Sequence, residues 1–337
     1  MRPERHAGRS KCGLHPRPRG LAQLDGPVDL PAFMDGQQIL IAGVGGLGCA
    51  WARSTHLRCP TTRLLVVDAD DRSLRIGAEG HVLRLGNAME AEGCAALPAL
   101  AEQRMRSIDQ MAVPILRDAE LVVLLAGLGG GAGSGAAAEL ARQARRAGSI
   151  VIAIASMPFE EDQPHRASIA RAGLAALERC ADVTVRVSLP RLAHRARERG
   201  EDWSMGSEWI EDLVDGLVHS LLRMSLINLD LMDLRSILKD GGAATLLVGS
   251  GPSDDVHGLI ASAASAPLAD VNVEGATGCY IHLEGGRDLA IGQMEAIADA
   301  FTRRLSRDAK VILGARISDE MHGQARVIML LSGLRPM

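Results

Sequence analysis

Lysine is nearly missing from this chain. Of 37 Lys and Arg residues in 337, only Lys11, Lys239 and Lys310 are lysines. A Walker A loop ends on a lysine, and neither glycine-rich stretch here contains one, so that type of phosphate loop is excluded. Aromatic residues are as scarce, at three Trp, one Tyr and three Phe, so the core must be aliphatic. The six cysteines (Cys12, Cys49, Cys59, Cys94, Cys180 and Cys279) are scattered without a CxxC pair. That spacing argues against zinc and dithiol chemistry and fits a reducing cytoplasm. No run reaches the roughly 18 apolar residues of a membrane span. The most apolar stretch, LVVLLAGLGG (121–130), is short and turns into glycine. The N-terminus has no apolar run of the signal-peptide kind. The formal net charge is −4, which gives no electrostatic reason to expect nucleic acid or an acidic membrane. Residues 1–36 are basic and rich in Pro and Gly. They read as a loose arm, either a plain extension or a contact for acidic partners.

What is present is a hydrophobic content of 47%, enough for a large core. Five apolar runs begin at QILIAG (38–43), TTRLLVVDADD (61–71), DAELVVLLAG (118–127), SIVIAIASMPF (149–159) and DVTVRVSLP (182–190). They read as strands, and helical stretches separate most of them. Continuous apolar strands alternating with helices predict a parallel sheet covered on both faces, with ligands beyond the carboxyl ends of the strands. Over 207–224, Trp209, Leu213, Leu217 and Leu221 recur every four residues, flanked by Ile210 and Val214. That is a helix with a wide buried face. The stretch 227–242 reads as a carboxylate-bearing turn and a short helix ending at glycine. Beyond it, strands at 243–251, 275–286, 309–320 and 324–334 and helices at 254–267 and 288–305 predict a smaller α/β layer.

The chemistry lies in the glycines. GLGGGAGSG (127–135) lets several backbone N–H groups face one anion, and the helix that follows adds its positive end. A phosphate chain suits such a cradle, with backbone donors, a bound cation or both offsetting its charge. GVGGLG (43–48) places Gly43, Gly45 and Gly48 at G-x-G-x-x-G spacing, and Asp68 ends the next strand. An NAD(P)-dependent oxidoreductase is thus a rival reading, although it leaves the second, richer glycine loop without a task.

With these motifs in place, the sequence resembles the tubulin/FtsZ superfamily of polymerising GTPases, nearer to bacterial FtsZ than to tubulin. GGGAGSG (129–135) is similar to the family's GGGTGTG/GGGTGSG signature, with Ala132 in a usual Thr position. GVGGLG (43–48) is similar to its first glycine loop. MPF (157–159), Asp162 and Arg166 resemble PFxxEGxxR, and SLINLDLMD (225–233) resembles GLINxDFAD. SAPLAD (265–270), GATGCYIHLEGGRDL (275–289) and VILGARISDE (311–320) follow in the family's order. The resemblance spans 38–334.

The resemblance implies an α/β fold with a parallel-sheet GTP-binding domain (37–203), a core helix (204–226) and a smaller α/β domain (227–337) opening on the catalytic loop. It implies a cytoplasmic cytoskeletal GTPase that binds GTP or GDP with Mg2+. It forms a head-to-tail homopolymer, serves cell division or a related filament role, and has a further FtsZ homologue as a potential co-assembling partner. Transferred residue by residue, the phosphates fall to Gly43, Gly45, Gly46 and Gly48, to Gly129, Gly130, Gly131, Ala132, Gly133, Ser134 and Gly135, and to Asp70. Gly93 and Ala95 face the γ-phosphate. Pro158, Asp162 and Arg166 lie by the ribose, and Glu208 takes the guanine-reading position. Asn228, Asp230 and Asp233 project from the opposite end to complete a neighbour's site. The acids orient water and accept its proton, so hydrolysis waits for assembly. A helix cap is the simpler task for Asp233.

Several positions depart from the family. Ala50 replaces a base-side Asn and has Trp51 beside it. Ala95 and Leu97 replace Gly and Asn of GAGANP, Leu189 replaces Asn, and Glu208 replaces Asp or Asn. Nothing corresponds to the usual C-terminal linker and docking peptide, so membrane tethering by that route is not expected. A nucleotide-binding structural or regulatory paralogue with little turnover is the alternative function.

Overall fold

The computed structural model describes residues 36–75, 80–86, 94, 96–159, 164–199, 207–222, 231–238, 243–264 and 274–334. Six strands form the parallel part of one sheet: β1 (Ile39–Val44), β2 (Arg63–Asp68), β3 (Gly80–Arg84), β4 (Leu121–Gly127), β5 (Ile150–Met157) and β6 (Val183–Ser188). Their spatial order is β3-β2-β1-β4-β5-β6. The first two connections run one way from β1, and the rest run the other way from β4. The order therefore reverses between β1 and β4, where a ligand crevice opens in doubly wound sheets.

The strands are buried on both faces, which is why they read as unbroken apolar runs. In β1, Ile39 and Ile41 face one core while Leu40, Ala42 and Val44 face the other, and all five are 0% exposed. Each such Leu or Ile contributes about 1.5–3 kcal/mol by burial. Helix α1 (Gly45–Arg58) covers the first face. Helices α2 (Pro98–Ser107), α3 (Asp109–Arg117), α4 (Ala137–Ala147) and α5 (Pro164–Cys180) cover the second. The short helix α6 (Leu189–Arg199) follows β6. Among the described residues, Trp51 is the largest wholly buried side chain, and it shares its mainly aliphatic core with Tyr280.

The long amphipathic stretch forms α7 (Ser207–Leu222) and packs against α1. Its predicted stripe is the buried one: Ile210, Leu213, Val214, Leu217 and Leu221 are at most 3% exposed. Next comes α8 (Leu231–Leu238), beginning at Leu231. Asp233 therefore sits inside the first turn, and the helix-cap role expected of it does not hold.

The last unit contains β7 (Ala243–Pro252), α9 (Val256–Ala264), β8 (Gly278–Gly285), α10 (Ile291–Thr302), β9 (Lys310–Ile317) and β10 (Gln324–Leu334). Its strands continue the sheet in the order β7-β10-β8-β9, with β7 parallel to β6 and β10 antiparallel to both neighbours. The one strand absent from the sequence reading is β3, a five-residue edge strand with a single buried position. Among the described residues, no helix is long and apolar enough to cross a membrane.

Candidate functional site

Both glycine loops leave adjacent strands at the point where the strand order reverses. β1 runs straight into α1 through Gly45, and β4 runs through 127–131 into a π-helical turn (Ala132–Ala136) that continues as α4. Between them lies a cavity of about 430 Å³. Gly45, Gly46 and Leu47 line one side, and Gly127, Gly130, Gly131, Ala132 and Gly133 line another. Asp68, Cys94, Ser156, Pro158, Phe159, Arg166 and Leu189 complete the lining.

Close packing explains the glycines. A Cβ on Gly131 would lie 2.5 Å from the Cys94 carbonyl oxygen. On Gly133 it would run into the Gly127 carbonyl, and on Gly135 into that of Pro98. The turn at 94–98 is thus seated directly on the signature. Gly129 has φ +98°, a left-handed conformation that side chains disfavour. Its N–H donates to Ser134 Oγ at 2.9 Å, and its carbonyl accepts from Arg166 Nε at 3.4 Å. Ser134 is 3% exposed, so within this fold its hydroxyl shapes the loop.

Two helical segments, α1 and the signature turn, begin with residues that line this cavity, α2 starts beside Cys94, and none of the three has a side-chain cap. The residues in the cap positions are Val44 for α1, Leu97 for α2 and Gly131 for the signature turn. First-turn N–H groups lack intrahelical acceptors, and helix dipoles add positive potential there. The uncapped N-termini of α1 and the signature turn give the cavity backbone N–H donors suited to an anion without a lysine.

Few charged side chains reach it. Arg166 is the cation. Asp68 is the carboxylate, 7% exposed, with Ala69 N–H donating to its Oδ1 at 2.7 Å. Burial pushes the Asp68 pKa up, against the lowering effect of the Ser73 hydroxyl. Ser156 Oγ lines the cavity at the carboxyl end of β5, is wholly buried and has no hydrogen-bond partner among the described residues. A buried hydroxyl left unpaired is costly, and a ligand in the cavity would satisfy it.

Of the residues expected at the nucleotide, Gly45, Gly46, Gly130, Gly131, Ala132, Gly133, Pro158 and Arg166 line the cavity. Gly43, Gly48, Gly129, Ser134 and Gly135 support it from behind, and Asp70 sits exposed on the turn after β2. Gly93, Ala95, Asp162, Asn228 and Asp230 lie outside the described residues, as does the Glu208 side chain. Leu189 is at the cavity as expected, while Trp51 is buried in the core. Ser156 was missed. Its signal was the end of a buried strand, where ligands of such sheets sit.

Asp233 is far from this cavity. Arg235, two residues on in α8, donates from Nη2 to the Gly148 carbonyl at 2.7 Å. Gly148 precedes the start of β5, whose other end carries Ser156 and Pro158. The eight residues of β5 span about 23 Å at the usual strand rise. The start of α8, with Asp233, and the glycine cavity therefore lie toward opposite ends of β5.

A larger cleft, about 630 Å³, lies between α3 and α4 and includes Arg106, Arg142 and Glu139. Glu139 pairs with both arginines inside it, so much of its charge is already spent.

Comparison with known proteins bears directly on this geometry. Residues 38–194 match the GTPase domain of the tubulin/FtsZ family, and residues 242–335 match the C-terminal domain of the FtsZ family. Cell division protein FtsZ 2 of Haloferax volcanii is 32% identical over 303 residues, covering 88% of this chain and 76% of that protein. Cell division protein FtsZ 1 of Pyrococcus furiosus is 28% identical, covering 88% and 81%. Among solved structures, an empty FtsZ dimer from M. jannaschii superposes with TM-score 0.78 at 25% identity, covering 88% of each chain. A GTPγS-bound protofilament of CetZ2 from Haloferax volcanii has the same fold, with TM-score 0.75 at 19% identity and coverage of 88% and 93%.

Proposed function

The chain belongs to the tubulin/FtsZ family, and from that premise we propose that it binds GTP at the glycine cavity and assembles head to tail, hydrolysing the nucleotide at subunit contacts. The relatives are cell division proteins, and a filament task of that kind is the role proposed here.

The observation that carries the reading is the placement of Asp233: its helix α8 is tied through Arg235 to Gly148 at the start of β5, while the cavity lies at the other end of that strand. From there Asp233, with Asn228 and Asp230 proposed to act beside it, does not serve a nucleotide in its own subunit. Only a second copy, stacked end on end, brings them to it. Such a contact is heterologous and leaves both ends open, so it propagates into a filament.

Within the cavity, the uncapped amides of α1 and the signature turn take the phosphate oxygens. Ser156 Oγ and Arg166 lie on the side proposed for the sugar. Leu189 and Phe159 give that end apolar walls, with Glu208 proposed to read the base. From the neighbour, Asn228, Asp230 and Asp233 orient water and accept its proton.

A divalent cation, Mg2+, fits the charge balance. The buried Asp68 carboxylate and a triphosphate repel each other unless a cation lies between them, and Asp70 on the adjoining turn adds a second carboxylate. Bound there, the ion offsets phosphate charge. Among the described residues, no three His, Cys, Asp or Glu side chains converge on a metal position, so phosphate oxygens and water would complete its shell.

The test is phosphate release from GTP at increasing protein concentration. A shared site gives a rate that rises more steeply than linearly. A constant rate per subunit would place the whole machinery in one copy. Leu189 in the cavity wall, where the family carries Asn, favours the second reading, a nucleotide-binding subunit with little turnover. Nucleotide-dependent sedimentation without phosphate release would select it.

A further inference from the structure

We propose that Leu97 and Met232 form an apolar contact between consecutive copies of this chain, Met232 of one copy seating on Leu97 of the next. The inference rests on the head-to-tail reading above and names side chains that would hold the contact together.

Large apolar side chains are seldom exposed in this protein, and two of those that are lie at its two ends. Leu97 is 56% exposed and Met232 is 73% exposed. Leu97 belongs to the turn that closes the cavity: its N–H donates to the Cys94 carbonyl at 2.7 Å, and Cys94 lines the cavity. Met232 stands next to Asp233 in the first turn of α8, at the opposite end of the sheet. A copy that presents its acidic turn to a neighbour's cavity also presents Met232, one residue away, to the rim on which Leu97 stands.

Both side chains are carried on firm supports. Leu234, Ile237 and Leu238 form the buried stripe of α8, spaced three and four residues apart, and the Ile237 carbonyl accepts from Ser332 Oγ at 2.7 Å. Met232 lies two residues from Leu234, roughly 200° around the helix, and so points away from that stripe. Leu97 stands on the 94–98 turn, which is wedged against Gly131 and Gly135 of the signature. A neighbour pressing on Leu97 therefore presses on the elements that line the phosphate end. Methionine adapts to irregular apolar surfaces, which suits a contact that must form and release.

The experiment places thiols at both positions. Among the described cysteines, all five are free and buried, so the added thiols would be the reactive ones once Cys12 is changed to Ser. The Leu97→Cys/Met232→Cys double variant is treated with a short bis-maleimide in the presence of GTP and run on a denaturing gel. The contact predicts a ladder of dimers, trimers and longer species, whereas an equal mixture of the two single variants stops at dimers. As a second arm, Met232→Lys and Leu97→Glu should each raise the protein concentration needed for sedimentation by about tenfold. Combined, they should bring it back to within about threefold of the parent, because the new charges are complementary. Circular dichroism and nucleotide binding by the monomer check that each variant is folded.

If the parent protein sediments with GTP but the double-cysteine variant gives no ladder, or if the single charge variants assemble like the parent, the contact is wrong while the head-to-tail reading stands. If the parent does not assemble with any nucleotide, the head-to-tail reading falls and the contact falls with it.

Discussion

Changing Ser156 to Ala should make the free protein more stable and its nucleotide complex weaker. Ser156 is 1% exposed and its hydroxyl has no partner among the described residues, yet it lines the cavity. Folding strips water from it and returns nothing, a penalty of about 1–3 kcal/mol for a buried unpaired hydroxyl. Alanine removes the penalty and leaves a methyl where the wall is already close-packed. We expect a gain near the bottom of that range, about 1 kcal/mol, or a rise of about 2 °C in Tm for a domain this large. With nucleotide bound, the parent makes a hydrogen bond that the variant cannot. Its loss, about 0.5–1.5 kcal/mol, corresponds to affinity weaker by roughly three- to tenfold. Thermal melting without ligand and calorimetric titration with GTP measure the two halves. Thr184 supplies the control. Its hydroxyl is equally buried and unpaired on β6 but does not line the cavity, so Thr184→Val should share the stabilisation and leave affinity unchanged. A Ser156→Ala variant that melts lower than the parent, or that binds GTP as tightly, refutes the reasoning.

Gly133→Ala forces a methyl into the Gly127 carbonyl, so the loop must shift and GTP binding should fall at least about tenfold, measured by titration after circular dichroism confirms the fold. His282 is 3% exposed, contacts the Tyr280 hydroxyl at 3.1 Å, and has its pKa lowered to about 4 by burial and by the Arg316 and Arg326 charges. The unfolded chain takes up that proton near the ordinary value of about 6.5, well before the folded protein does. Its contribution is therefore complete above about 6.5 and declines as pH falls toward 4, by about 3 kcal/mol in all. Denaturant titrations between these limits should show a slope that His282→Gln flattens. Glu208→Ala should lower discrimination between GTP and ATP in competition binding, and unchanged discrimination would free that residue from base reading.

The legible parts of the sequence are those where physics leaves few choices of residue. Strands buried on both faces must be apolar throughout, so β1, β2, β4, β5 and β6 stand out. β3 does not, because an edge strand with one buried position carries no such run. The signature glycines were readable because the backbone of one segment touches another at Gly131, Gly133 and Gly135, where a side chain has no room. Ser156 was not readable. An ordinary serine becomes a ligand contact only because β5 ends at the cavity and nothing else in the fold bonds its hydroxyl. Asp233 shows the limit at helix ends. Its cap role depended on a boundary three residues away from the observed start of α8. The placement of Asp233 at the far end of β5 from the cavity, on which the shared site depends, required the hydrogen bond from Arg235 to Gly148.

The most direct measurement mixes two variants, each lacking a different half of the proposed site. Gly130 lines the cavity and has open space around it, so Gly130→Glu should fold and repel phosphate from its own cavity. Asp230→Ala should bind GTP and fail to hydrolyse it for its neighbour. Each alone should release almost no phosphate. Mixed in equal amounts, about one contact in four pairs an intact cavity with an intact acidic turn, so activity should return to roughly a quarter of the parent's. If the folded variants stay silent together, or if Asp230→Ala alone remains fully active, hydrolysis does not occur across a subunit contact.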